Sequence, residues 1–384
     1  MNRLEVNQNI KIAMIAGNGG SGGLVGYIKG LISANVVPEN VEIRLFCGED
    51  LANKIVDVAE RIEIYPTTLA NERGKEVVLN RCLSSSFIGL INEYNPDVVL
   101  FLNGYIRKGL EYYPTVMVLH NQLYIDSRQL WRQGVSWLTL TLLAFRHQVR
   151  KSMKSSDGVI FLSDASRSQA VDKIIFFNKS TVTYFGIEQE NRIESIEPKP
   201  IHTPIEMICI SAIYPYKNQI ELVHGLSLLK QDNNEFRLHL VGIADPKTKK
   251  KLELLIKQYN MQENVIFHDW IKHEKIKEMI DAMDVFIYPS SIETTGYGLM
   301  EGMARGAAIA SSDESCFKDV LGDGGVYFQP SDKYSIYEAI KKLITDDSLR
   351  FTCSGKAWEI SKRYTWDKLA KDTYNFLSSF SNKR

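Results

Sequence analysis

The chain has no excess of charge of either sign, and that absence already excludes one class of partner. Lysine and arginine number 46, aspartate and glutamate also number 46, and the formal net charge of the 384 residues is zero. A protein that binds nucleic acid over a broad surface normally carries excess positive charge, so the balance argues against nucleic acid as a partner. Hydrophobic residues at 44% and charged residues at 24% exclude the disordered and fibrous classes.

Long apolar runs and clustered metal or disulfide ligands are also missing. The most apolar helical stretch, 135–145, is far shorter than the roughly 20 residues that a membrane span needs. The N-terminal segment MNRLEVNQNIKIAM contains no apolar core of the secretory kind. The five cysteines form no C-x-x-C pair, and the seven histidines show no metal-ligand spacing. These absences predict a cytoplasmic protein with reduced cysteines and no bound metal.

Short apolar runs alternate with helical patterns along the whole chain. Runs such as 97–102 and 158–162 are typical of strands that are buried on both faces of a parallel sheet. One hydrophobic core rarely exceeds roughly 250–300 residues, so a chain of this length should form two domains. The pattern predicts an α/β protein with two doubly wound Rossmann-like domains facing a cleft, in which ligands bind beyond the carboxyl ends of the strands.

The predicted domain boundaries follow composition. Residues 188–204 are polar and charged and contain three prolines, which is typical of a linker. The segment 366–380 has an amphipathic helical pattern with no strand after it, so we expect it to pack back on the first domain. The prediction is an N-terminal domain at 1–190, a linker at 191–204, a C-terminal domain at 205–365 and a returning helix at 366–384.

A glycine-rich loop follows the first predicted strand. Residues 17–23 read GNGGSGG and contain G-x-G-x-x-G just before a predicted helix. Glycines there let the backbone approach a phosphate, and the helix start supplies N–H donors. One interpretation is a dinucleotide-binding loop of an NAD-dependent oxidoreductase, with Glu49 or Asp50 on the ribose. The other interpretations are a loop for a nucleotide diphosphate and a tight turn that needs glycine for packing.

Two glutamates stand at a strand-loop-helix junction in the second half. The segment 289–312 reads PSSIETTGYGLMEGMARGAAIASS, with Glu293 in the predicted loop and Glu301 inside the predicted helix. The start of a helix attracts phosphate, and carboxylates accept hydrogen bonds from sugar hydroxyls. A nucleotide sugar offers both groups, so this segment is a candidate site for such a ligand.

The pattern E-x7-E followed by G-M-A-x-G-x-x-I-A-S resembles the signature of glycosyltransferase family 4, a retaining family with the GT-B fold. The resemblance extends from about residue 207 to 366 and includes CISAIYPYKN at 209–218, a match to the family's Pro-x-Lys-Asn segment. In the first half, the glycine-rich loop and the strand that ends at His120 also fit. The nearest likeness is to bacterial transferases that build cell-surface polysaccharides, including lipopolysaccharide.

The resemblance implies a retaining hexosyltransferase that needs no metal or other cofactor. It would move a sugar from a UDP- or GDP-linked donor to a glycan acceptor, including a lipid-linked one, by front-face attack. Glu293 would contact the donor sugar, Lys217 would neutralise the leaving diphosphate, and His120 would lie near the transferred sugar. The implied donor-binding residues are Gly19, Gly20, Thr295, Gly296, Tyr297 and Glu301, with Glu301 on the ribose hydroxyls.

The sequence departs from the family pattern beside the lysine. Ala212 and Tyr216 stand where many members carry an arginine, so Lys217 has one fewer neighbouring cation than usual. Two alternatives therefore stay open. One is a non-catalytic relative that binds sugars, and the other is the NAD-dependent oxidoreductase, which leaves the second half of the chain unexplained.

A basic helical stretch at 128–154 has two interpretations. Tryptophans and leucines lie there beside arginines and lysines. Such a helix can lie on an anionic membrane, which would bring the enzyme to a lipid-linked acceptor at the inner membrane face. The other interpretation is an amphipathic helix that packs on the first sheet with its basic residues in water.

Overall fold

The structure is a computed structural model that describes residues 9–17, 22–33, 35–67, 83–126, 128, 131, 137–173 and 175–381. The chain divides into two compact units. The first unit comprises residues 1–127, 140–186 and 365–384, and the second comprises 128–139 and 187–364.

The described residues of the first unit form a parallel sheet covered by helices. Its strands are β1 Ile10–Ile15, β2 Val41–Cys47, β3 Glu63–Pro66, β4 Val98–Phe101, β5 Thr115–Val118, β6 Gly158–Phe161 and β7 Lys179–Val182. The strand order is β3-β2-β1-β4-β5-β6-β7. Its helices are α1 Gly22–Ile32, α2 Glu49–Ile55, α3 Ser85–Tyr94, α4 Trp137–Ser155 and α5 Asp164–Asp172, joined by the C-terminal helix α13 Trp366–Ser378.

The second unit is a doubly wound sheet of six parallel strands over its described residues. These are β8 Ile205–Ile210, β9 Phe236–Val241, β10 Val265–His268, β11 Val285–Tyr288, β12 Ile309–Ser312 and β13 Gly325–Phe328. They lie in the order β10-β9-β8-β11-β12-β13. The helices are α6 Gln219–Gln231, α7 Pro246–Gln258, α8 His273–Asp281, α9 Tyr297–Ala304, α10 Phe317–Leu321, α11 Lys333–Thr345 and α12 Asp347–Ser361.

The central strands are buried because they are apolar along their whole length. Every residue of β4, β5, β6 and β11 is buried, as expected where helices cover both faces of a parallel sheet. The apolar runs at 97–102 and 158–162 predicted β4 and β6 to within one residue. The sequence pattern missed β3 and β7, because each is a half-exposed edge strand without a continuous apolar run.

The strand order of the second unit places a switch point between β8 and β11. Chain connections leave these two neighbouring strands in opposite directions, so the loops after them diverge and leave a crevice at their carboxyl ends. The loop after the next strand, β9, approaches closely at Gly242, where φ is 141° and an added Cβ would lie 2.4 Å from the Ser211 carbonyl oxygen. Only glycine fits this approach.

The predicted C-terminal helix is present and packs within the first unit. Trp366, at its first position, lies against two glycines, Gly30 of α1 and Gly186 after β7. The Tyr374 hydroxyl donates to the Leu31 carbonyl at 2.6 Å from a buried position. The absence of side chains at the two glycines makes room for the indole ring.

One helical prediction extends beyond the described residues. The predicted basic helix at 128–154 appears as α4 from Trp137. Within the ranges that the structure describes, no helix combines the length and the hydropathy required to cross a bilayer.

Gly30→Ala should destabilise the first unit, because the new Cβ would lie 2.0 Å from Cε3 of Trp366. Overpacking of this kind costs about 1–3 kcal/mol, measurable as a lower midpoint of urea unfolding. Gly26→Ala in the same helix is the matched control, because a Cβ there meets nothing within 4 Å. It should leave stability unchanged or raise it by about 0.5–1 kcal/mol. Equal effects of the two substitutions would contradict the packing of α13.

Candidate active site

The two loops at the switch point of the second unit are joined by hydrogen bonds. Asn218 donates from Nδ2 to the Pro289 carbonyl at 2.7 Å and to Ser291 Oγ at 2.7 Å. The Ser291 N–H donates to the Tyr216 carbonyl at 2.9 Å. Asn218 holds a left-handed φ of 55°, which asparagine tolerates better than most residues. These hydrogen bonds hold the loop after β8 and the loop after β11 together, and we call the surface that the two loops form the wall of the site.

Lys217 is the buried cation of this wall. It ends a short helical turn that begins at Pro215, and only 9% of the residue is exposed. Its ammonium group forms an ion pair with Oε1 of Glu293. Burial disfavours the charged ammonium, but the Glu293 carboxylate and the neighbouring Tyr216 and Cys209 together outweigh burial and raise the pKa of Lys217 above its ordinary value. Lys217 is therefore a fixed positive charge at the carboxyl edge of the sheet.

Glu293 is held from both its backbone and its side chain. The Tyr288 hydroxyl donates to Oε1 at 3.1 Å. The backbone N–H of Glu293 donates to Ser315 Oγ at 2.9 Å, and the same hydroxyl donates to the Glu293 carbonyl at 2.8 Å. Burial, together with the Glu293 carboxylate, raises the pKa of Tyr288 well above its ordinary value, so Tyr288 stays a hydrogen-bond donor.

The helix α9 starts directly after this loop, as predicted. Gly296 is its N-cap, with φ at 77°, and an added Cβ would lie 3.2 Å from Cε1 of Phe317. Thr295 is buried and Tyr297 is the first helical residue. The sequence places the positive end of the helix dipole at these three residues, where a phosphate is favoured.

Glu301 lies one turn further into α9 and meets a different environment. It is 9% exposed, and burial raises its pKa to about 7, an effect that the charge of Lys277 partly opposes. Its Oε1 lies 3.2 Å from Nδ1 of His273, the first residue of α8. The two glutamates predicted as a pair therefore have different partners: a cation for Glu293 and an imidazole for Glu301.

Tyr216, at one of the two positions where many members of the resembled family carry an arginine, forms an aromatic pair with Tyr214. The rings of Tyr214 and Tyr216 are stacked, with centroids 5.9 Å apart and planes at 14°. The Lys217 ammonium lies 5.2 Å from the centroid of the Tyr216 ring. A cation at that distance is attracted by the ring face, so Tyr216 helps to hold Lys217 in place.

The remaining predicted residues belong to the first unit. His120 follows β5, and its ring packs edge-on against Tyr27 with centroids 4.8 Å apart. Burial lowers the pKa of His120 to about 4, so the ring is neutral at physiological pH. Gly19 and Gly20 lie outside the described residues. The structure thus brings Lys217 and Glu293 together. The loop that carries Glu293 and the helix α9 after it carry Thr295, Gly296, Tyr297 and Glu301. His120 belongs to the other unit.

Several residues of this wall were not predicted. Asn218, Tyr288 and Ser315 hold the loops or Glu293, and His273 contacts Glu301. Asn218 follows the lysine directly in YPYKN and could have been found there. Ser315 and His273 come from other loops, and only the strand order brings them to the site.

Comparison with known protein families covers the part of the chain that contains this site. Residues 191–358 match the family model "Glycosyl transferases group 1". The resemblance to a glycosyltransferase is confirmed. The matched range contains Lys217, Glu293 and Glu301, the residues that the wall of the second unit brings to the carboxyl edge of the sheet.

Two bacterial relatives are named as glycosyltransferases. Over 226 residues, covering 56% of this chain, identity to the "Serotype-specific mannosyltransferase WbdA" of Escherichia coli is 21%, and the chain spans only 28% of that protein. A Campylobacter jejuni N-acetylgalactosamine-N,N'-diacetylbacillosaminyl-diphospho-undecaprenol 4-alpha-N-acetylgalactosaminyltransferase is 27% identical over 164 residues, 42% of this chain and 43% of its own length. The chain thus spans less than half the length of these relatives.

A solved structure shows the same fold over nearly the whole chain. Anabaena Alr3699/HepE, in complex with UDP-glucose, aligns with a TM-score of 0.73 at 16% identity and covers 96% of this chain and 100% of its own. The likeness and the two doubly wound parallel sheets confirm the predicted GT-B fold class.

Glu301→Gln should stabilise the protein at alkaline pH. The folded-state pKa of about 7 lies above that of an unfolded glutamate, so the carboxyl supports folding at low pH, and this contribution is lost as pH rises through about 7. The increase in the free energy of unfolding that Glu301→Gln causes should be about 2 kcal/mol larger at pH 8 than at pH 5, measured by urea unfolding. Glu253→Gln, at an exposed position of α7, is the control and should show no such difference. A gain independent of pH would contradict the buried carboxyl.

Proposed function

We propose that this protein is a retaining glycosyltransferase that moves a hexose from a UDP- or GDP-linked sugar to a glycan acceptor. The observation that carries the proposal is the buried Lys217–Glu293 pair beside the start of α9. Lys217 would meet the charge of the departing diphosphate, the helix start would bind its distal phosphate, and Glu293 would contact the sugar. HepE, a relative in fold, was solved with UDP-glucose, which supports a nucleotide sugar as donor.

The mechanism that we propose is front-face attack. The acceptor hydroxyl would approach the anomeric carbon from the side of the leaving diphosphate, and a phosphate oxygen would take the hydroxyl proton as the new bond forms. Lys217 and the helix start would stabilise the negative charge on the diphosphate. On this proposal no metal is required, so transfer should persist in EDTA, and the product should keep the donor's anomeric configuration, which NMR of the product reports.

Donor binding is tested by a thermal-shift panel of UDP, GDP, ADP and NAD(H). One nucleoside diphosphate should raise the melting temperature, since a ligand at 100 times its dissociation constant adds about 2.7 kcal/mol. Lys217→Ala and Glu301→Ala should abolish the shift, and His224→Leu on α6 should retain it. A shift with NAD(H) alone would overturn the proposal in favour of the oxidoreductase. Binding of the diphosphate without hydrolysis or transfer of any UDP- or GDP-sugar would favour a non-catalytic sugar-binding protein.

We propose further that the acceptor is lipid-linked and that α4 brings the protein to an anionic membrane surface. The Campylobacter relative is named for a diphospho-undecaprenol-linked acceptor, which supports the first part. On α4, Leu140 is 53% exposed, and Lys151 and Lys154 are exposed on the same helical face. Two other basic residues of the helix turn inward instead. Arg146 donates to the Tyr124 carbonyl at 2.9 Å, and Arg150 donates to the Lys173 carbonyl at 3.3 Å.

Membrane attachment is tested by cosedimentation with phosphatidylglycerol vesicles. The wild-type protein should bind these and not neutral vesicles. Lys151→Glu with Lys154→Glu should weaken binding by about 30-fold or more, since each basic residue contributes about 1 kcal/mol. Lys250→Glu with Lys251→Glu on α7 makes the same change of charge at exposed positions of the second unit and should have no effect. Equal losses in the two double variants would contradict a specific role of α4.

A further inference from the structure

We propose that His273 is a positioning residue for Glu301, which it holds as an oriented, ionised acceptor for the ribose hydroxyls of a nucleoside diphosphate. This inference rests on the proposed function. His273 itself touches neither phosphate nor sugar in this proposal, and it acts on the ligand only through the glutamate.

The geometry forms a chain of three side chains from three segments. Asn191 lies in the second unit, in the segment that precedes β8. His273 is the first residue of α8, and Glu301 lies in α9. Nδ2 of Asn191 lies 3.2 Å from Nε2 of His273, and Nδ1 of His273 lies 3.2 Å from Oε1 of Glu301. With the amide NH₂ facing it, Nε2 accepts, and the single proton of a neutral ring then sits on Nδ1. Nδ1 in turn lies 3.2 Å from the carboxylate oxygen.

Asn191 is a buried residue that can fix the orientation of the His273 ring. It is 3% exposed, and the Arg305 guanidinium donates to its carbonyl at 3.3 Å. Its Oδ1 is buried and has no hydrogen-bond partner among the described residues. The amide nitrogen, and not the oxygen, faces His273, which leaves Nδ1 as the ring's donor on the side of Glu301.

A carboxylate must be ionised to accept hydrogen bonds from two hydroxyls, and burial opposes ionisation of Glu301. A neutral imidazole N–H favours the ionised form and occupies one oxygen, which leaves the other for the ribose. Burial and Lys277 lower the pKa of His273, which keeps the ring neutral. The other charged or titratable groups near this pair are Lys277 and Glu274 of α8, Tyr297 of α9, and Glu188 and Glu190 of the chain before β8.

The test compares UDP with 2′-deoxy-UDP, and GDP with 2′-deoxy-GDP, by titration calorimetry on the full chain. Wild type should bind the ribonucleotide about tenfold more tightly than its deoxy form, the size expected for a hydrogen bond to a charged group. His273→Leu should reduce this ratio to about one to threefold. His273→Asn should restore most of it, because the asparagine amide nitrogen takes the place of Nδ1.

The pH dependence separates positioning from a merely structural role. In wild type the preference for ribose should weaken as pH falls below about 7, because protonated Glu301 loses the charge that strengthens its hydrogen bonds to the hydroxyls. In His273→Leu this weakening should begin at higher pH, because the N–H that favours the carboxylate is gone. His224→Leu is the control, since His224 bonds to the Tyr259 hydroxyl on the α6–α7 side of the unit.

Different outcomes contradict the proposed function and the role of His273. If UDP and GDP fail to bind to wild type, the proposed function fails, and this inference fails with it. If a diphosphate binds but His273→Leu keeps both the ribose preference and its pH profile, only the inference is overturned. Should His273→Leu not fold, the same two readouts on His273→Asn and wild type decide, and an Asn variant without ribose preference would overturn the inference.

Discussion

The ion pair between Lys217 and Glu293 is the interaction on which the second unit's site depends. It joins side chains 76 positions apart in the sequence, from the loops after β8 and β11. A buried ammonium without its carboxylate is strongly destabilising, so the pair requires the two loops to keep their relative positions. Asn218 and Ser291 meet that requirement through the hydrogen bonds between the loops. The strand order makes the arrangement available, because β8 and β11 are neighbours only in a doubly wound sheet.

The two glutamates illustrate how environment separates the roles of identical side chains. Glu293 faces the buried cation of Lys217 and receives the Tyr288 hydroxyl, so its charge is compensated within the protein. Glu301 faces a neutral imidazole, and burial raises its pKa to about 7. Two titratable groups whose surroundings differ in this way typically carry different tasks at one site. On the proposed function, the two glutamates would contact different parts of a nucleotide sugar, Glu293 the transferred sugar and Glu301 the ribose.

Local signals in the sequence were sufficient for the parts of the fold that are buried on both faces. β4 and β6, which are buried along their whole length, lie within one residue of the apolar runs at 97–102 and 158–162 that predict them. The edge strands β3 and β7 had no such signal, because half of each faces solvent. In the site, Lys217 and Glu293 were predicted from motif context. Their supporting residues were not, because Ser315 and His273 reach the site from loops whose neighbourhood only the sheet order defines.

On the proposed function, tyrosine at position 216 in place of an arginine changes how a diphosphate would bind. Lys217 is already paired with Glu293, and Tyr216 adds an aromatic face but no charge. A phosphate oxygen that approaches the ammonium must therefore compete with the carboxylate of Glu293. If a phosphate oxygen replaces Glu293 as the partner of the Lys217 ammonium, the Glu293 carboxylate becomes available to the sugar hydroxyls. The ring of Tyr216 would keep the ammonium oriented during this exchange. The ion pair then serves as a preformed arrangement of charge for the donor, which is the form in which electrostatic stabilisation is most effective.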